Sequence, residues 1–179
     1  ASGIAVGLAT NIPPHNLAEA CRAVIQVIDR PDTPLEELMR FMPAPDFPTG
    51  GILINNGEIE TAYQTGRGKL ILRAKVTVEE GRAGRHPLCI TEIPYQVNKA
   101  QMLEKILKLS EERKVALGSI HDIRDESDRT GLRAVIELKK EADPLSVLAY
   151  LYRYSDLQVT FGVNLVAIAG GKPVQMGLI

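Results

Sequence analysis

Several residue types that would advertise a function are scarce in this chain. It has no tryptophan and only three histidines, His15, His86 and His121, which share no metal-ligand spacing. Its two cysteines, Cys21 and Cys89, lie far apart in helix-like and strand-like apolar patterns. Free, buried thiols in a reducing compartment explain them better than a disulfide. No apolar run approaches the length of a membrane span, and the N-terminus lacks the layout of a signal peptide. It also lacks an initiator methionine, and the pattern starts and stops part-way, so a segment of a longer protein is expected.

Phosphate-loop chemistry is excluded as well. Gly66-Arg67-Gly68-Lys69 shares a Gly-Lys pair with the P-loop, but Tyr63 stands where the first glycine is required and Leu70 where Ser or Thr is. The carboxylates Asp125, Glu126 and Asp128 cluster in a polar turn, where solvation is their ordinary role.

What is present is an ordinary globular composition, 45% hydrophobic and 24% charged, enough for one sizeable domain or two small ones. The net charge of -1 argues against a wholly basic nucleic-acid coat, yet the charge is unevenly placed. Residues 66–86 hold six basic side chains (Arg67, Lys69, Arg73, Lys75, Arg82, Arg85) against Glu79 and Glu80. Residues 29–46 hold five acidic ones against Arg30 and Arg40. One surface is therefore suited to phosphate. The alternative is a strand edge whose Lys and Arg deter aggregation.

Element signals are clear. Asn16 caps a helix to Asp29 with Glu19 as capping-box partner, and Leu17, Ala20, Cys21, Val24, Ile25 and Ile28 form its apolar face. Thr33-Pro34-Leu35-Glu36 predicts a second, short helix with Thr33 as N-cap and Pro34 at N1. Strict alternation predicts one strand from Leu70 to Val78, with Leu70, Leu72, Ala74, Val76 and Val78 on one face. From residue 88 the order is strand 88–93, helix 99–113, strand 118–124, strand 132–138, helix 144–154 and strand 158–168, followed by a hairpin at Gly170-Gly171. The fold class is α+β with a ferredoxin-like split βαββαβ unit. The helices are expected to bury Met102, Leu103, Ile106, Leu107 and Leu109, and Leu145, Leu148, Leu151 and Tyr152. The same order describes an RNA-recognition domain, but strands 88–93 and 132–138 lack an aromatic face for stacking bases.

The stretch from Gly3 to Leu17 is small, apolar and glycine-punctuated, then stiffens at Pro13-Pro14. Ile4, between Gly3 and Ala5, is a stiff branched side chain with few rotamers to lose. On nucleic acid it can act as a wedge between base pairs, although an isoleucine in such a run is more often buried. The segments Ser2-Gly3-Ile4-Ala5-Val6-Gly7 and Ala9-Thr10-Asn11-Ile12-Pro13-Pro14-His15-Asn16-Leu17 resemble the A subunits of bacterial type IIA topoisomerases, DNA gyrase and topoisomerase IV. So do Pro45-Asp46-Phe47-Pro48-Thr49, Ala62-Tyr63, Thr65-Gly66-Arg67-Gly68-Lys69, Glu92-Ile93-Pro94-Tyr95-Gln96-Val97-Asn98-Lys99, Arg124-Asp125-Glu126-Ser127-Asp128, Leu157-Gln158 and Phe161-Gly162-Val163-Asn164.

The resemblance implies the tower of the breakage-reunion core, with residues 1–69 as its DNA-facing N-terminal part and 70–179 as an α+β subdomain. It implies that Ile4 intercalates into double-stranded DNA. Gly3 and Gly7 as close backbone approaches, and Arg67, Lys69, Arg73 and Lys75 as phosphate contacts, complete the expected interface. The nucleophilic tyrosine should lie upstream, since Arg153-Tyr154 imitates the family's pair in the wrong setting. The resemblance further implies a B subunit that supplies Mg²⁺ and ATP, a second A subunit, no cofactor or metal in this segment, no membrane, and a cytoplasmic, nucleoid-associated location. The rival class is a non-enzymatic ferredoxin-like binding or assembly module.

Overall fold

A computed structural model describes the chain except for Val6, Gly7, Thr49 and Asn55, and the side chain of Ala5. In chain order the strands and helices are β1 (Ser2–Ala5), β2 (Leu8–Asn11), α1 (Leu17–Asp29), α2 (Leu35–Phe41), β3 (Ile52–Ile54), α3 (Glu58–Thr65), β4 (Arg67–Arg73), β5 (Lys75–Val78), β6 (Leu88–Glu92), α4 (Lys99–Glu112), α5 (Lys114–Leu117), β7 (Ile120–Asp125), β8 (Ala134–Leu138), α6 (Pro144–Tyr154), β9 (Gln158–Asn164), β10 (Val166–Ala169) and β11 (Lys172–Gln175). The architecture is mixed α and β. Strands order as β1-β2-β9-β4-β3 in one sheet, β5-β6-β8-β7 in a second, and β10-β11 as a separate ribbon.

Two compact units result, neither a continuous segment: 1–48 with 54–71 and 160–179, and 49–53 with 72–159. A single division after Lys69 would fall inside β4.

In the second unit, helices pack on the antiparallel four-stranded sheet. Asn98 caps α4 by accepting the Gln101 N–H at 3.0 Å, and Asp143 caps α6 by accepting the Leu145 N–H at 3.3 Å. Met102 and Ile106, one turn apart, are fully buried with Leu88, Ile90, Ile136, Leu138 and Leu151. Leu107 and Leu145, expected inward, are exposed instead, because Met102–Ile106 and Val147–Leu148–Leu151 set the buried stripes.

The expected βαββαβ unit does not close. Its last strand, β9, leaves for the five-stranded sheet, and β5 takes the place beside β6, with Thr77 opposite Cys89 and Val78 opposite Leu88. The strand expected over 70–78 is two strands broken at Ala74, whose N–H donates to the Leu157 carbonyl at 2.8 Å. Beyond Ala74 the chain changes partner, and β5 pairs with β6. The strand expected over 158–168 likewise divides, into β9 and β10.

In the first unit, Asn16 caps α1 as expected, accepting the Glu19 N–H at 3.1 Å. Ala23 packs with Leu38 and Met42 of the α2 region. Leu17, Val24, Ile25 and Ile28 of the α1 apolar face are exposed, and so is Cys21, against the expectation of two buried thiols. The cap of α2 is Pro34, not Thr33. The Thr33 hydroxyl donates to the Arg30 carbonyl at 2.5 Å and is spent on the preceding turn.

Candidate nucleic-acid interface

The opening stretch folds into a short antiparallel hairpin. Gly3 faces Thr10, Ile4 faces Ala9 and Ala5 faces Leu8. Such a small ribbon is marginal unaided, and side chains hold it down. Thr10 Oγ1 donates to the Asn164 carbonyl at 3.1 Å, Asn11 Nδ2 to the Gly162 carbonyl at 2.6 Å, and Asn164 Nδ2 to the Ala9 carbonyl at 2.5 Å. From this pinned base Ile4 stands 92% exposed. A β-branched side chain so exposed has few rotamers to lose on being covered. Gly3 is exposed, and a Cβ there would meet Thr10 Cγ2 at an ordinary 3.5 Å, so packing does not demand glycine. Gly7 lies outside the described residues.

A second ribbon stands in the same unit. In β10–β11, Val166 faces Gln175, Ile168 faces Pro173 and Ala169 faces Lys172. The turn at Gly170-Gly171 has φ of 59° and 76°, the left-handed pair that a two-residue hairpin asks for. Its base is tied to α3's end. The Leu165 N–H donates to the Gly66 carbonyl at 2.7 Å, the Gln175 amide to the same carbonyl at 3.1 Å, and the Leu178 N–H to the Tyr63 carbonyl at 2.6 Å. Gly66 has φ of 76°, and a Cβ on it would come within 2.2 Å of the Met176 carbonyl oxygen. A Cβ on Gly177 would come within 2.3 Å of that of Gln64. No side chain fits at either position.

Asn164 joins the two ribbons: while its Nδ2 holds β2, its Oδ1 accepts from Gln175 Nε2 at 2.8 Å. Neither this clamp nor Ile168 was singled out from sequence. The available signal was Asn164 itself, a polar residue closing an apolar strand.

Arg67 and Lys69 are exposed two residues apart on β4, so both point to one face. With Glu58, Gly162 and Asn164 they border a shallow open recess. Gly68 between them faces the other way, where a Cβ would lie 3.0 Å from that of Ala62 on α3. Arg73 differs. Its Nε donates to Gln158 Oε1 at 2.6 Å and its guanidinium lies 4.7 Å from the Tyr152 ring centroid, so both hydrogen bonding and cation–π contact occupy it. Lys75 is exposed on β5. The expected contact set thus divides: Gly3, Ile4, Arg67 and Lys69 share one unit, while Arg73 and Lys75 belong to the other.

A sequence model of the A-subunit family of DNA gyrase and topoisomerase IV matches residues 1–179, the full length of the chain. The chain belongs to that family. It is 51% identical over 177 residues to the DNA topoisomerase 4 A subunit of Streptococcus pyogenes, covering 99% of this chain and 21% of the relative. It is 49% identical over 180 residues to the DNA gyrase A subunit of Dehalogenimonas lykanthroporepellens, covering 99% of this chain and 22% of the relative. It is 52% identical over 180 residues to the chloroplastic/mitochondrial DNA gyrase A subunit of Arabidopsis thaliana, covering 99% and 19%. The chain therefore spans about a fifth of the length of these relatives.

Several other polar groups of this A-subunit segment pair with one another. Asp125 pairs with Lys99 at 2.8 Å, and the Lys99 ammonium holds its carboxyl well down, to about 2. Glu126 bridges Arg124 and Arg133, Arg124 also reaches Glu137 at 2.8 Å, and Asp128 accepts from Thr130. Among the described residues no group of three His, Cys, Asp or Glu is placed to hold a metal. His15 Nε2 and the Tyr63 hydroxyl lie 2.8 Å apart, and burial lowers the His15 pKa and raises that of Tyr63. Tyr154 ends α6 with its ring 4.5 Å from that of Tyr150 and Arg153 over its face. Among the described residues no helix is long and apolar enough to cross a membrane.

Proposed function

We propose that this chain is the tower segment from the A subunit of a type IIA topoisomerase, where it grips and bends the double-stranded DNA which the whole enzyme cuts and reseals. The observation that carries this reading is Ile4, a β-branched side chain left 92% exposed on a hairpin fixed by three side-chain hydrogen bonds. Bending a short duplex costs about 1–6 kcal/mol and unstacking a step a few more. Exposed Arg67 and Lys69 in the same unit are suited to offset that cost at the phosphates. Specificity then comes from how easily a sequence deforms, since no element among the described residues presents a base-reading helix.

In the whole enzyme, strand cleavage belongs to a tyrosine upstream of this segment, acting within an assembly of two A and two B subunits in the cytoplasm. Mg²⁺ and ATP are held by the B subunit, and they supply phosphoryl-transfer chemistry and the driving force for strand passage. The carboxylates described here do not fit a metal role, because Asp125, Glu126 and Glu137 are already ion-paired. This segment's residues bind, wedge and support the duplex. The rival module reading drew on the βαββαβ order, which β9 does not complete.

The test is end-to-end fluorescence transfer across a labelled gate duplex, with the full-length A and B subunits together, comparing wild type with Ile4→Ala. Retained binding with lost bending and cleavage supports the wedge. Unchanged bending and cleavage would remove it.

A further inference from the structure

The β10–β11 ribbon has no role in the reading above, yet it carries the same kind of projection as β1–β2. Ile168 is 78% exposed, one residue pair from the tip at Gly170-Gly171. Ile4 and Ile168, with Leu8, Val166 and Pro173, border one open apolar recess of about 300 Å³ between the two ribbons. Exposed Lys172 follows the turn.

Three features separate this from a chance apolar patch. The spacing of the two isoleucines is fixed, because Asn164 hydrogen-bonds to β2 and β11 at once. The ribbon's base is fixed as well, through Leu165, Gln175 and Leu178 to the end of α3. And exposed Ile168 lies one pair below a turn that carries a cation, Lys172, on the ribbon's other face, where its long stem can reach round the tip to a phosphate beside the apolar contact. Isoleucine, stiff at χ1, loses little entropy on being covered.

We infer that β10–β11 is a second DNA-contacting prong, in which Ile168 makes an apolar contact with the duplex beside the step opened by Ile4 and Lys172 contacts a phosphate. This rests on the proposed DNA-bending role and extends it to a residue and a ribbon outside the expected interface. Two side chains held at a set distance by one asparagine make the bend a property of the pair.

The experiment uses the full-length A and B subunits, assembled on a fluorescent gate duplex. Replacing Ile168 by the photocrosslinker p-benzoylphenylalanine gives a DNA adduct under ultraviolet light, as does the same replacement at Ile4, while replacement at exposed Val115 gives none. Ile168→Ala weakens duplex binding about tenfold, the loss expected when roughly half of an isoleucine's contact is removed. It also lowers the transfer efficiency that reports bending, and its melting curve is that of the wild type. A crosslink from Ile168 to protein alone, or unchanged binding and bending in Ile168→Ala while Ile4→Ala is impaired, overturns the second prong and leaves the wedge standing. If both alanine variants behave as wild type, the bending role itself fails.

Discussion

The side-chain amide of Gln175 donates to that of Asn164 at 2.8 Å, and through this contact two hairpins far apart in sequence share one foundation. Asn164→Ala removes two side-chain hydrogen bonds, and net contributions near 1 kcal/mol per bond place it about 4–8 °C below wild type in melting temperature for a chain of this size. Gln175→Ala should fall by a similar amount, and the double variant by less than the sum, since the two act on one contact. Thermal unfolding of the three variants checks this.

Core and surface isoleucines should separate sharply. Ile106 is fully buried, so Ile106→Ala should cost about 2–5 kcal/mol. Ile4→Ala, at an exposed position, should stay within about 0.5 kcal/mol of wild type. Denaturant titration measures both, and a large loss in Ile4→Ala would mean that Ile4 is packing rather than projection.

Acid should weaken the fold through His15. Burial holds the imidazole below its ordinary value near 6.5, so just under that pH the unfolded chain takes up a proton that the folded chain refuses. The stabilisation from keeping His15 neutral is complete above 6.5 and declines as pH falls toward the lowered folded value. His15→Gln, which can still hydrogen-bond Tyr63, should flatten the loss of melting temperature between about pH 7 and 5.

The two thiols should differ in reactivity. Cys21 is exposed, whereas Cys89 is fully buried, has its thiol pushed up by burial, and contacts the Arg133 guanidinium at 3.0 Å. A maleimide should modify one site in the native protein and two after unfolding. Mass spectrometry reads the count, and native labelling at Cys89 would show that β6 opens.

Salt dependence distinguishes the basic residues. If Arg67 and Lys69 each neutralise a phosphate, Arg67→Ala and Lys69→Ala should each reduce the slope of log affinity against log salt by about one in the intact enzyme. Arg73→Ala should lower stability instead, because it removes the Gln158 and Tyr152 contacts. An equal slope change for all three would return Arg73 to the interface.

Local chemistry made much of this fold legible. Asn16, Asn98 and Asp143 announce their helices, and Gly170-Gly171 announces its turn, because caps and left-handed turns are settled within a few residues. Ile4 stands out through the family resemblance of its segment, because stiffness alone equally describes a buried strand residue. The break at Ala74 was hidden, since a period-two pattern fixes which face a residue takes and says nothing about which strand it pairs with. For the same reason β9 could not be told from a closing ferredoxin-like strand. The clamp on the hairpins was out of reach altogether, because Asn164 reaches back to Ala9 across 155 positions.

Gly66 takes on a mechanical meaning in this setting. Both legs of the β10–β11 ribbon end on the few backbone atoms around it, and its missing Cβ is what lets them come so close. A load at the ribbon's tip is therefore delivered to the last turn of α3, with Gly66 as the fulcrum. Giving that one position a side chain would slacken the lever without touching either isoleucine.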